Sequence, residues 1–158
     1  MKRKTVIIIS SITAAILLAI GGIVLFIAIN RDDIPFRLDD EYYTSSEAVT
    51  IEKDEYEKLM KDEKSFLVMV DKPGCVTTAE MRDNMSAFPT DMQFKYYRMM
   101  WNDVKESSLH EYIKFAPSVA IIRKGEVKAW LQADKDEDGE YFNSAEALQR
   151  WIRKYIIF

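Results

Sequence analysis

From Val6 to Ile29 the chain carries no charged side chain. These 24 residues would span roughly 36 Å as an α-helix at ~1.5 Å per residue, more than the ~30 Å hydrocarbon core of a bilayer. Residues 6–29 therefore read as a transmembrane helix, with the lipid bilayer as partner. A cleaved signal peptide is the competing reading, because the chain opens on the basic "MKRK". A secretory apolar region, however, is typically about 7–15 residues and ends at a small-residue cleavage site. Here the apolar run continues through "IVLFIAIN", which favours an uncleaved anchor. Lys2, Arg3 and Lys4 precede the span, while Arg31 and Arg37 follow it among Asp32, Asp33, Asp39 and Asp40. The positive-inside rule then leaves residues 1–5 in the cytoplasm and sends the rest across a single-pass cell membrane, as expected of a bacterial envelope protein.

Without those three leading cations, 19 basic residues face 26 acidic ones, a net charge of about −7, which argues against nucleic acid as a partner. One cysteine cannot form an intramolecular disulfide, so stability has to come from a core. One cysteine and one histidine cannot build a zinc cluster, and no cofactor is expected.

Residues 30–48, "NRDDIPFRLDDEYYTSSEA", are acidic, contain Pro35 and show no sustained period, so they read as a tether to a domain over 49–158. Within that domain "VTI" is a short strand. "KDEYEKLMKDE" is a helix with Tyr56, Leu59 and Met60 on one face and acids in its first turn. The apolar "SFLVMV" marks a strand buried on both faces. After Cys75, the spacing of Met81, Met85 and Phe88 predicts a helix that Pro89 ends. "QFKYYRMMW" reads as a strand. Ser108 with Glu111 predicts a capped short helix, "SVAII" and "VKAWL" a hairpin turning at Gly125, and Asn143 with Glu146 the start of a last helix. The order β-α-β-α-β-α-β-β-α implies an α/β fold, with a mixed central sheet flanked by helices.

Two landmarks then carry a resemblance: "DKPGCVTTAE", a cysteine after a buried strand and opening a helix, and "APSVAIIRKGEV" about forty residues later. Over about residues 49–157 the chain resembles the thioredoxin family, and the resemblance implies a thioredoxin-like fold. Cys75 matches the attacking cysteine of that family's Cys-x-x-Cys, and Pro117 its cis-proline. Ala116 stands at the position whose backbone hydrogen-bonds an extended peptide, and Gly74 where an aromatic residue is usual. Thr78 replaces the second cysteine, and Met69 the buried acid six residues upstream of the first. Without a resolving thiol a dithiol cycle cannot close. The resemblance implies a monothiol in which Cys75 forms mixed disulfides with a protein or small thiol and another molecule resolves them, Thr78 donating to the thiolate. The alternative is a redox-inactive module that uses the same loop to bind an extended peptide or envelope partner.

Whether Cys75 is activated depends on where its helix starts. At a helix N-terminus, unpaired N–H groups and the dipole lower a thiol pKa from about 8.5 into the range ~3.5–7.5, and Lys72 would add a positive charge. A rival capping box, Thr77 with Glu80, would start the helix two residues later and leave Cys75 outside it. His110 reads as a surface residue, and Met81 with Met85 as core. Asp134, Asp136, Asp138 and Gly139 fit positions 1, 3, 5 and 6 of a calcium loop, but position 12 is Ala145, so the segment reads as a solvated acidic loop. Gly21 and Gly22 offer only a weak hint of helix packing in the membrane.

Overall fold

Strand β2, Phe66–Asp71, is buried at all six positions. The computed structural model, which describes residues 16, 18–22 and 34–158, places it at the centre of a five-stranded sheet. The sheet order is β1-β3-β2-β4-β5, with β1 at Ala48–Ile51, β3 at Tyr96–Met100, β4 at Ser118–Arg123 and β5 at Glu126–Trp130. β3 runs parallel to both β1 and β2, so each connection between them has to cross over a face of the sheet. Helices α1 (Lys53–Lys61) and α2 (Val76–Ser86) make these crossovers. β4 runs antiparallel to β2, and β5 antiparallel to β4. Helix α3 (Trp101–Glu106) follows β3, and α4 (Ala145–Arg153) closes the domain. The expected mixed α/β architecture is therefore present. At the hairpin, Gly125 has φ +73°, and a Cβ there would sit 2.2 Å from the Met60 carbonyl oxygen, so only glycine fits.

The chain divides into Met1–Ile34 and the domain Pro35–Phe158. The expected span at 6–29 lies outside the described residues except for 16 and 18–22, which are helical. Among the described residues no helix is long and apolar enough to cross a membrane.

The domain starts earlier than the sequence suggested, because residues 35–47 are not a free tether. Phe36 bridges Ile156 in parallel, and Leu38 and Tyr42 are buried. The Tyr42 hydroxyl donates to the Tyr97 hydroxyl at 3.3 Å, and its ring meets Tyr97 edge-on at 5.7 Å. Tyr97 in turn packs on Phe66 and Phe66 on Tyr56, a run of edge-to-face rings leading into the core. Scattered aromatic anchors do this work, which is why no helical or alternating period announced it. Burial pushes the Tyr42 hydroxyl pKa well above its ordinary value.

Three terminal assignments also move. Trp101 opens α3 rather than ending the strand. Ser108 does not cap a helix with Glu111; it lies in a 3-10 turn, Ser108–Glu111, where its N–H and hydroxyl both donate to the Glu57 carboxylate. Ser144, not Asn143, caps α4, its Oγ accepting from Ala147 N–H at 3.2 Å.

Replacing fully buried Tyr42 with alanine is expected to lower stability by about 3–5 kcal/mol, the range for large aromatic truncations, as measured by denaturant unfolding of the full chain. A loss below ~0.5 kcal/mol, typical of an exposed tether residue, would contradict the packing of this segment.

Candidate functional site

The strand β2 ends at Asp71, and the chain turns through Lys72, Pro73 and Gly74. Gly74 takes φ +75°, and Cys75 N–H donates to the Lys72 carbonyl at 3.2 Å. The turn needs that left-handed residue, which explains a glycine where an aromatic was expected. Cys75 is the N-cap residue of α2: its backbone is extended, and its carbonyl accepts from Ala79 N–H at 3.2 Å. The helix therefore begins at Val76, and the rival start at Thr77 is ruled out.

This position shifts the thiol. The Cys75 pKa lies below its ordinary value: the nearby Thr78 backbone N–H lowers it most, then the Thr78 hydroxyl, with smaller help from the Thr77 N–H and hydroxyl, and desolvation opposes them, although the sulfur makes no regular capping hydrogen bond. Lys72 takes part through its backbone carbonyl. Thr78 is fully buried, and its Oγ1 completes no regular hydrogen bond. A neutral thiol is a weak acceptor, whereas a thiolate is a strong one. The hydroxyl is a donor whose natural partner is the anion.

The antiparallel register sets Ser118 opposite Val70, so the Ala116–Pro117 peptide, which is cis, lies at the same end of the sheet as the 72–75 loop. Sequence reasoning did not foresee the neighbouring depression, lined by Lys72, Pro73, Met100, Trp101 and Asn102. Trp101 packs edge-on against the His110 ring at 5.7 Å, and the His110 Nδ1–H donates to the Ile113 carbonyl at 3.0 Å. His110 thus braces an aromatic wall. Val76 and Phe115 stand exposed beside this end.

No family model and no curated protein matches this chain. Solved structures do. A chain of a complex of ferredoxin:thioredoxin reductase with thioredoxin f2 aligns over 69% of this chain and 94% of its own, at 16% identity and TM-score 0.51. A mutant thioredoxin from Halobacterium salinarum NRC-1 aligns over 72% and 94%, at 14% identity and TM-score 0.50. The domain has the thioredoxin fold.

Within that thioredoxin fold, one feature of the strand before the cysteine was missed. Met69 occupies the expected acid position and is buried, but Asp71, two residues on and so on the same face of the strand, is also buried. Its carboxylate lies 3.9 Å from Arg82 Nε and 3.7 Å from Arg98 Nη1. Those are ion-pair distances beyond hydrogen-bond reach, and Asp71 Oδ1, Arg82 Nε and Arg98 Nε are buried without hydrogen-bond partners. Arg98 also donates from Nη2 to Thr50 Oγ1 at 3.1 Å. A buried carboxylate needs such partners. The signal was legible as one Asp ending an apolar strand with arginines placed on β3 and α2.

The acidic loop is a 3-10 segment, Asp136–Phe142. Asp138 Oδ2 is already taken, accepting from Gln132 N–H at 2.8 Å. Among the described residues no cluster of His, Cys, Asp or Glu could hold a metal ion.

Thr78→Val is expected to move the midpoint of the Cys75 alkylation-rate profile upward, part of the way to that of a free cysteine, because the Thr78 N–H remains. Stability should hold or rise, since the lost hydroxyl is buried and unpaired. An unchanged midpoint would show that the hydroxyl does nothing for the thiolate.

Proposed function

We propose that this is a membrane-anchored, extracytoplasmic protein that exchanges disulfides through Cys75 as a monothiol. The observation that carries the reading is the thiol at the N-cap of α2, where its pKa is lowered, with the buried Thr78 hydroxyl left without another partner. The thiolate attacks one sulfur of a partner's disulfide. A bond forms between Cys75 Sγ and that sulfur, and the partner's other sulfur leaves as a thiolate. A thiolate from a second molecule, protein or small thiol, then attacks the mixed disulfide. It forms a new disulfide with the partner's sulfur and releases Cys75 as a thiolate. The net change is a disulfide exchange: the incoming sulfur ends in the new disulfide, the partner's other sulfur ends as a thiolate, and Cys75 ends unchanged.

Ala116 and Pro117 would supply the backbone edge along which an extended partner lies, with Gly74 opening the loop to it. Anchoring rests on the charge-free run from Val6 to Ile29 and on the flanking charges.

A second reading, a redox-inactive binding module, draws support from the exposed apolar side chains Val76 and Phe115. Trapping of thiol adducts from intact cells separates the two readings. Under monothiol exchange, wild type yields disulfide-linked partners that a reductant releases, and Cys75→Ser yields none. Serine keeps the N-cap, so the fold is preserved. Partner capture that survives Cys75→Ser unchanged would favour the binding module.

A further inference from the structure

Strand β2 has β3 on one side and β4 on the other, so the loop that follows it lies between the ends of its two neighbours. On the β4 side stands the cis Ala116–Pro117 peptide. On the β3 side, where Asp71 is level with Met100, lies the depression lined by Lys72, Pro73, Met100, Trp101 and Asn102. Its volume of about 370 Å³ is at the low end of the ~300–1,000 Å³ of small-molecule sites, which fits one or two side chains better than a cofactor. Pro73, Met100 and Trp101 make the wall apolar, and the His110 ring backs Trp101 edge-on at 5.7 Å.

Lys72 is the only charged side chain lining this depression. It is exposed and enters no ion pair among the described residues. Its backbone carbonyl accepts from Cys75 N–H at 3.2 Å, so the turn that places the thiol also places the root of this cation. The chain as a whole is acidic, but exposed charges are screened beyond ~8 Å at physiological ionic strength. A group entering the depression therefore meets Lys72 first.

Reach decides which residue of a partner arrives there. Neighbouring strands are ~4.8 Å apart, and an extended chain advances ~3.3 Å per residue. A segment joined to Cys75 and lying across the strand ends brings the residue one or two places from its own cysteine into the depression.

Resting on the monothiol reading, we infer that the Trp101–Lys72 depression is a specificity subsite for the disulfide partner. It takes a bulky apolar side chain and an adjacent carboxylate within two residues of the partner's cysteine, on the side away from Ala116 and Pro117. The apolar group covers Met100 and Trp101, and the carboxylate pairs with Lys72.

The full chain in detergent tests this with short peptides whose one cysteine is linked to thiopyridine, an uncharged leaving group. Attack by the Cys75 thiolate forms a Cys75–peptide disulfide and releases the pyridinethione, which is followed by absorbance. The two residues beside the cysteine are Leu-Glu, Leu-Lys or Gly-Ser, placed in turn before and after it, and each rate is divided by that of the same peptide with mercaptoethanol. In one of the two placements the Leu-Glu peptide should react about tenfold faster than Gly-Ser, the worth of half-burying a leucine, and about threefold faster than Leu-Lys. At about 1 M salt the second ratio should fall to one while the first persists. Lys72→Glu should invert the order of Leu-Glu and Leu-Lys, and Trp101→Ala should remove the preference for leucine. Each preference is a ratio within one protein, so a change in the thiol itself cancels. Equal rates for all peptides, or ratios unchanged in either variant, would overturn the subsite alone. No release from any peptide would overturn the monothiol reading beneath it.

Discussion

Cys75 stands at the open N-terminus of α2 because the helix begins at Val76, and that start is imposed by the turn before it. The strand β2 delivers the chain to the sheet's end, Pro73 and Gly74 bend it, and the Gly74 φ of +75° aims Cys75 into the N-cap position. The helix must then leave its first N–H groups without intrahelical acceptors. A thiolate placed there is favoured by those groups and by the positive end of the helix dipole. Thr78, one turn in, is buried against the sheet, and its hydroxyl adds a donor without exposing the thiolate to a competing charge. The chemistry of the site is a property of backbone placement more than of any charged neighbour.

The rest of the domain packs against both ends of the strand that carries this turn. At the start of β2 the aromatic run from Tyr42 to Tyr56 and the pairing of Phe36 with Ile156 close the core. At its end Asp71 is held between Arg82 of α2 and Arg98 of β3, tying the helix that carries Thr78 to the sheet beneath it. A buried carboxylate left without either cation would be costly, so removing Arg82 or Arg98 would destabilise this end of the sheet. The arrangement leaves three buried polar atoms without hydrogen bonds.

How much of this could be read from the letters follows from which signals are local. The order of elements along the chain was legible because "SFLVMV" is a continuous apolar run, and because Gly125 marks a turn that no other residue can make. Cys75, Gly74, Thr78, Ala116 and Pro117 were grouped through the resemblance, and the register brings the 72–75 loop and the cis Ala116–Pro117 peptide to one end of the sheet. The start of α2 was not, since Thr77 and Glu80 spell a capping pattern as well as Cys75 spells an N-cap; the turn at Gly74 decided between them. Segment 35–47 was hidden because Phe36 and Tyr42 pack singly, against residues more than fifty positions away. The Ser108 assignment failed for a related reason. Its hydroxyl found Glu57 on another helix, and no local pattern records a tertiary partner.

The central claim, that the Thr78 and Thr77 amides favour the Cys75 thiolate, is tested most directly by a pH titration followed by NMR. The backbone amide resonances of these two residues would be tracked alongside the Cys75 Cβ. The account predicts that all three titrate together, with one midpoint below that of a free cysteine and with the Thr78 amide shifting most. Amides that stay still while the cysteine ionises, or a shared midpoint at or above that of a free cysteine, would contradict it.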